Sequence, residues 1–194
     1  MKYKYVKEVM KRKSFPDFFS ALGSKVDWKE WSEIYGMYKV VLDTLYKNNF
    51  IPDIVFDIGC GKRPTLGAFL ALNIKSIRNI DVIAIDPQLD KNLCKNIYGI
   101  HLYPYTLDEY ISGVSLNKKQ KALVLCNHAH VSKKQVINFL DNYEEWIYIT
   151  CPCCVDNQLD SGLYIVDKNV DSPKNTYYIS WNKEWIQQIY LKNN

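Results

Sequence analysis

The residues in this chain whose types and spacing point most directly to chemistry are two aspartates flanking a glycine turn. Asp57, Gly59 and Gly61 spell D-x-G-x-G at the end of an apolar run, Ile54, Val55, Phe56 and Ile58. A helix rich in Thr, Gly, Ala and Leu follows, completing the stretch Ile54–Leu72. A strand that stops at glycines and turns straight into a helix leaves bare backbone N–H groups beside a ligand. A second apolar run, Asp81–Asp86, ends in another acid, Asp86. It lies roughly 20 residues or a little more beyond the turn, the distance expected of a carboxylate that grips ribose hydroxyls. Together these residues predict a nucleoside-cofactor site. The plainer roles are a turn-stabilising carboxylate at Asp57 and an acid capping the next helix at Asp86.

A second constellation is richer in sulfur. His130, Cys151, Cys153 and Cys154 follow two apolar runs that should be neighbouring strands, so their ends could bring imidazole and thiol groups to one zinc ion. The spacing matches no common C-x-x-C pair. As plain structure, the thiols are small apolar fillers at a crowded strand end. The chain has 6 cysteines, but adjacent Cys153 and Cys154 make a poor disulfide framework, and reduced thiols fit better.

Composition bounds the rest. The 194 residues suit one domain with a real core, and 47% are apolar or aromatic, which excludes disorder throughout. No apolar run approaches the roughly 20 residues needed to span a bilayer. Nor does the beginning of the sequence carry a secretory core, so a cytoplasmic protein with no membrane partner is expected. Net charge is +4 and uneven: Lys2, Lys4, Lys7, Lys11, Arg12 and Lys13 face a single acid, Glu8. This end reads as a solvated, frayed segment or as a helix steering towards phosphates.

The elements that must position these residues follow from periodicity. Residues 1–26 read as a basic extension containing a short helix over Ser14–Leu22, and 27–194 as a single domain. Asp27–Asn48 is a helix with Trp28, Trp31, Ile34, Tyr38, Val41, Leu42 and Leu45 on one stripe, and Asp27 with Glu30 resembles a capping box. After Asp86, a short segment at Leu89–Asn96 is expected to be helical. Strand three is Gly99–Tyr103, followed by a short helix at Leu107–Ile111. Strand four, Ala122–Cys126, is apolar throughout and buried on both faces. Ser132 with Gln135 caps a helix that turns Val136, Ile137 and Leu140 inward. Strand five is Trp146–Thr150. Gly162–Asp167 and Thr176–Trp181 form an antiparallel hairpin, and Lys183–Leu191 a last helix. The fold class is α/β: a mostly parallel sheet with helices on both faces and an antiparallel C-terminal hairpin. In such sheets ligands sit outside the carboxyl ends of the strands, where Asp57–Gly61, Asp86, Asn127–His130 and Cys151–Cys154 all fall.

These motifs resemble those of class I S-adenosylmethionine-dependent methyltransferases, whose fold is Rossmann-like. Asp57, Gly59 and Gly61 match the family's first motif, and Asp86 matches its ribose-binding acid. The terminal hairpin is similar to the reversed last strand that separates this fold from dinucleotide-binding domains. A narrower similarity is to methyltransferase-like proteins, among them a tRNA ribose methyltransferase group, with H-x-C-G after strand four and P-C-C after strand five. His128-Ala129-His130 and Pro152-Cys153-Cys154 occupy those places, with His130 for the cysteine and Val131 for the glycine. Arg63, followed by Pro64, replaces the third glycine of many members.

The resemblance implies S-adenosylmethionine as cofactor, held by Asp57, Gly59, Gly61, Arg63, Asp86 and Asn127. It places Asn127 and His128 beside the transferable methyl group, with His128 as the candidate base; its plain role is a loop histidine. RNA is the expected substrate, on the basic end, the tyrosines that stack on bases and the partial motif match. Two other functions stay open: a degenerate methyltransferase fold acting through a protein partner, and a zinc-stabilised interaction protein.

Overall fold

The computed structural model describes residues 3–22, 27–74, 80–153, 157–159 and 162–182. Three helices come first: α1 (Lys4–Met10), α2 (Phe15–Leu22) and α3 (Trp28–Lys47). The αβ alternation then runs β1 (Ile54–Ile58), α4 (Thr65–Asn73), β2 (Asp81–Ile85), β3 (Ile100–Tyr103), α5 (Leu107–Gly113), β4 (Lys121–Asn127), α6 (Lys133–Leu140) and β5 (Glu145–Cys151). The hairpin β6 (Leu163–Val166) and β7 (Thr176–Trp181) closes the described chain.

The strands form one sheet in the order 3-2-1-4-5-7-6. β1 to β5 are parallel, and β7 inserts antiparallel between β5 and β6. The order reverses between β1 and β4, which opens a crevice at their carboxyl ends. This is the Rossmann-like α/β topology, with its antiparallel C-terminal hairpin, that the strand pattern predicts.

Strand alternation sends side chains to two cores. Val55, Val82, Leu123, Leu125, Ile147, Ile149 and Ile179 face α1 to α4. Phe56, Ile58, Ile83, Ile85, Val124 and Tyr148 face α5 and α6. Ala122–Cys126 is buried throughout, as expected of a central parallel strand. α3 lies very close to the sheet: a Cβ at Gly36 would fall 2.4 Å from the Tyr177 hydroxyl and 2.6 Å from Val170.

The basic beginning of the chain is neither frayed nor wholly solvated. α1 buries Tyr5, Val6 and Val9 against α3, and Arg12 lies over the rings of Tyr35 and Tyr38 at 5.5 and 5.0 Å. Lys4, Lys7, Lys11 and Lys13 remain exposed, while Lys2 lies outside the described residues. The N-terminal end of α1 also grips the β6–β7 connection. Tyr3 N donates to Asp171, Lys4 to Asn169, and the Tyr5 hydroxyl to Asp167.

Three local expectations are corrected. Leu89–Asn96 forms turns rather than a helix, because Asp86 and Asp90 accept from the backbone two residues on and Cys94 takes a positive φ. Asp27 caps α3 through Lys29 N, but Glu30 does not complete a box, because its carboxylate accepts from the Thr65 hydroxyl instead. In α6 the Ser132–Gln135 box is present, yet Ile137 is 41% exposed and Phe139 takes the inward place. The expected helix at Lys183–Leu191 lies outside the described residues. Among the described residues, no helix is long and apolar enough to cross a membrane.

Candidate active site

The glycine turn is shaped by what presses on each side of it. Gly59 and Gly61 both have φ near +70°, a conformation costly for residues with a Cβ. At Gly59 the constraint is also steric, since a Cβ would fall 2.5 Å from that of Ala129 in the loop after β4. At Gly61 the reverse holds: a Cβ would meet nothing within 4 Å. The backbone there borders open space.

That space is a crevice of about 600 Å³ lined by Gly59, Cys60, Gly61, Asp86, Tyr105 and Asn127, among others. Its size lies within the roughly 300–1,000 Å³ typical of small-molecule sites. Asp86 fixes its wall: Oδ2 accepts from Gly61 N at 2.9 Å and Oδ1 from Gln88 N at 2.8 Å. Each carboxylate oxygen still has a lone pair for a further donor. The segment from Asp86 to β3 forms turns and no helix, so helix capping is not the role of Asp86. The crevice thus has the features a nucleoside needs: bare backbone over a void, and an acceptor pair at the neighbouring strand end.

Asp57 does not face this crevice. It is buried and accepts from Gly67 N at 2.7 Å, serving the first turn of α4 where Pro64 offers no side-chain cap. Gly67 is needed there because a Cβ would press on the carboxylate at 3.0 Å. Burial pushes the Asp57 carboxyl up to about 7; the Gly67 N–H works against the shift, and Asp86 adds to it.

Asp57 instead lines a second chamber of about 220 Å³, with Glu30, Glu33, Arg63, Thr65 and His128 among its walls. Arg63 therefore stands in the acidic chamber, on the other side of the turn from Asp86. Cys60, Asn127 and His128 line both cavities and mark where they meet.

His128 sits at that junction with φ +60°, an uncommon conformation for a non-glycine residue that often accompanies function. Its N–H continues the β4–β5 ladder to Cys151 O. Nε2 is 3.3 Å from Glu33 Oε2, a charge contact when the ring is protonated, though neither ring nitrogen makes a hydrogen bond. The loop carrying His128 is held from behind by a buried polar network. Asn157 accepts from Thr150 at 2.7 Å and from Tyr148 at 2.9 Å, and it donates to Ala129 O at 3.4 Å.

The sulfur constellation does not assemble as a metal centre. His130 is exposed on the rim of the first crevice. Cys151 is a strand residue whose thiol donates to Lys174 O, and Cys153 contacts Lys174 Nζ. Among the described residues, no three His, Cys, Asp or Glu side chains are grouped to hold a metal ion. Cys154 lies outside the described residues. Cys60, Cys94, Cys126, Cys151 and Cys153 are all free thiols.

Several residues of the two cavities escape sequence reasoning. Glu30, Glu33 and Thr65 reach the second chamber only through the packing of α3 on α4. One signal was readable: Gly36, inside a strong helical stripe, marks a close approach between α3 and another element. Asn157 carries no sequence signal.

No protein-family model matches the chain, and no curated protein matches it. Similar solved structures include SMU.1697c from Streptococcus mutans in complex with SAH. It is 14% identical with a TM-score of 0.43, over 74% of this chain and 97% of that one. M. capricolum TrmK, solved with S-adenosylhomocysteine, is 14% identical with a TM-score of 0.42, over 73% and 68%. The plantazolicin methyltransferase BamL, solved in complex with a triazolic desmethylPZN analog and SAH, is 15% identical with a TM-score of 0.46, over 77% and 56%.

Proposed function

We propose that the chain binds S-adenosylmethionine across the two cavities and transfers its methyl group, with RNA as the acceptor class. The observation that carries this reading is the open space over Gly61 bounded by Asp86. When bound, the cofactor supplies an electrophilic methyl group on a sulfonium.

The chain's own residues supply the rest. Backbone at Gly59, Cys60 and Gly61 lets the nucleoside approach closely, and Asp86 accepts from vicinal hydroxyls with its free lone pairs. Tyr105, 44% exposed at the crevice wall, offers a ring for stacking. Asp57 and Arg63 face the amino-acid half from the second chamber. Asn127 and His128, shared by both cavities, flank the position where the two halves meet. In-line displacement at that position depends mainly on orientation. His128 accepts the proton of a hydroxyl or amine acceptor, after its ring turns a nitrogen out of the buried position it holds here.

RNA is favoured by the exposed lysines of α1, by Lys91 held 5.9 Å over the Tyr105 ring at the crevice, and by the partial histidine and P-C-C resemblance. A second reading follows from the buried ring nitrogens of His128: the chain binds the cofactor without transferring the methyl group and acts through a protein partner. Calorimetric titration with S-adenosylmethionine, followed by transfer of labelled methyl to total RNA, separates the two. Binding with transfer supports the enzyme and binding alone supports the accessory protein. Absence of binding overturns both.

A further inference from the structure

The second chamber contains a charged group that the glycine motif does not require. Glu33 is only 6% exposed. Its Oε2 faces His128 at 3.3 Å, while Oε1 has no hydrogen-bond partner and lies 3.8 Å from Lys29 Nζ. Asn127 Oδ1, in the same chamber, is buried and equally without a donor. Buried acceptors left without donors are costly and rare, so the chamber complements a group that brings several donors and positive charge. A primary ammonium has three donors and no acceptor.

The other carboxylates are less suited to meet it. Glu30 already accepts from the Thr65 hydroxyl at 2.6 Å, and burial raises its pKa. Asp57 is committed to Gly67 N and is pushed up to about 7. Glu33 remains ionised: burial works to raise it, but His128, Ser172 and Lys29 together hold it below the ordinary carboxylate value. Asp171 N donates to the Ser32 hydroxyl, so the β6–β7 connection braces this turn of α3 from behind.

We propose that Glu33 is a specificity-determining residue that selects, among adenosine-bearing ligands, those with an ammonium on the arm reaching into the second chamber. This rests on the nucleoside-cofactor reading above and extends it to a residue of α3, outside the glycine turn. Arg63, across the chamber, carries the opposite charge and suits the carboxylate of an amino-acid arm.

The test compares three ligands by calorimetry: S-adenosylhomocysteine, its deamino analogue, and 5′-methylthioadenosine, which has no amino-acid arm. The wild-type chain is expected to bind S-adenosylhomocysteine about 10- to 100-fold more tightly than the deamino analogue, the range of a charge-assisted hydrogen bond. Glu33→Gln is expected to collapse that difference to about twofold and leave methylthioadenosine binding unchanged, which also reports an intact crevice. Equal wild-type affinity for the amino and deamino ligands overturns the proposal, as does discrimination that survives in Glu33→Gln. If that variant no longer binds methylthioadenosine, Glu33→Ala takes its place, and discrimination as large as wild type overturns the assignment. Failure of wild type to bind any of the three overturns the cofactor reading itself, a result distinct from lost selectivity.

Discussion

The two cavities on either side of the glycine turn are built on different physical terms. The crevice at Asp86 is shaped at the turn by backbone: positive-φ glycines, a loop N–H held by a carboxylate, and open space where a side chain would stand. The chamber at Asp57 is made of side chains from α3, β1, α4 and the loop after β4, most of them ionisable. A backbone-built site depends on conformation and tolerates little added volume. A side-chain-built site depends on charge, so its behaviour changes with pH. The contrast gives four predictions.

The largest effect belongs to the charged chamber. Asp57 has a folded pKa above its unfolded one, so the native state holds the proton more tightly. Its contribution is full below pH about 4 and falls as pH rises to about 7, a loss on the order of 4 kcal/mol at about 1.36 kcal/mol per unit. Asp57→Asn keeps an oxygen for Gly67 N and removes this dependence. Denaturant unfolding at pH 5 and pH 8 should show a clearly smaller difference in the variant. Equal slopes in the two proteins would mean that the chamber's charge does not govern stability.

The backbone-built side should respond to volume instead. Gly59→Ala places a Cβ against Ala129 and is expected to cost about 3 kcal/mol, seen as a lower unfolding midpoint. Third in size is Asn157→Ala, which removes the buried partner of Thr150 and Ala129 and should cost about 2 kcal/mol. If it costs nothing, the loop bearing His128 is not held from behind as described. The smallest stability effect, about 1 kcal/mol, is expected for Gly61→Ala, where only backbone conformation opposes the change. That variant should nevertheless lose nucleoside binding, since its methyl group enters the crevice. Retained affinity would break the contrast between the two glycines.

The same contrast explains what could be read from the sequence. D-x-G-x-G and Asp86 were legible because a local backbone conformation requires particular residues at fixed spacing. The strands were legible because burial on both faces leaves long apolar runs such as Ala122–Cys126. Glu33 was hidden because its role depends on α3 settling against β7 at Gly36, a contact between residues far apart in the chain. The segment at Leu89–Asn96 misled because Asx turns at Asp86 and Asp90 outcompeted a weak helical pattern. The burial of α1 was obscured by its lysines, which occupy the outer face and leave Tyr5, Val6 and Val9 for α3.

The grip of the first helix on the last connection sets an order of events during synthesis. Tyr3, Lys4 and Tyr5 find their partners at Asp171, Asn169 and Asp167, more than 160 positions later. The segment 167–171 must therefore be synthesised before residues 3–5 can dock on it, and contacts so distant in sequence form slowly. Until then Tyr5, Val6 and Val9 on the inner face of the first helix have α3 as their shelter.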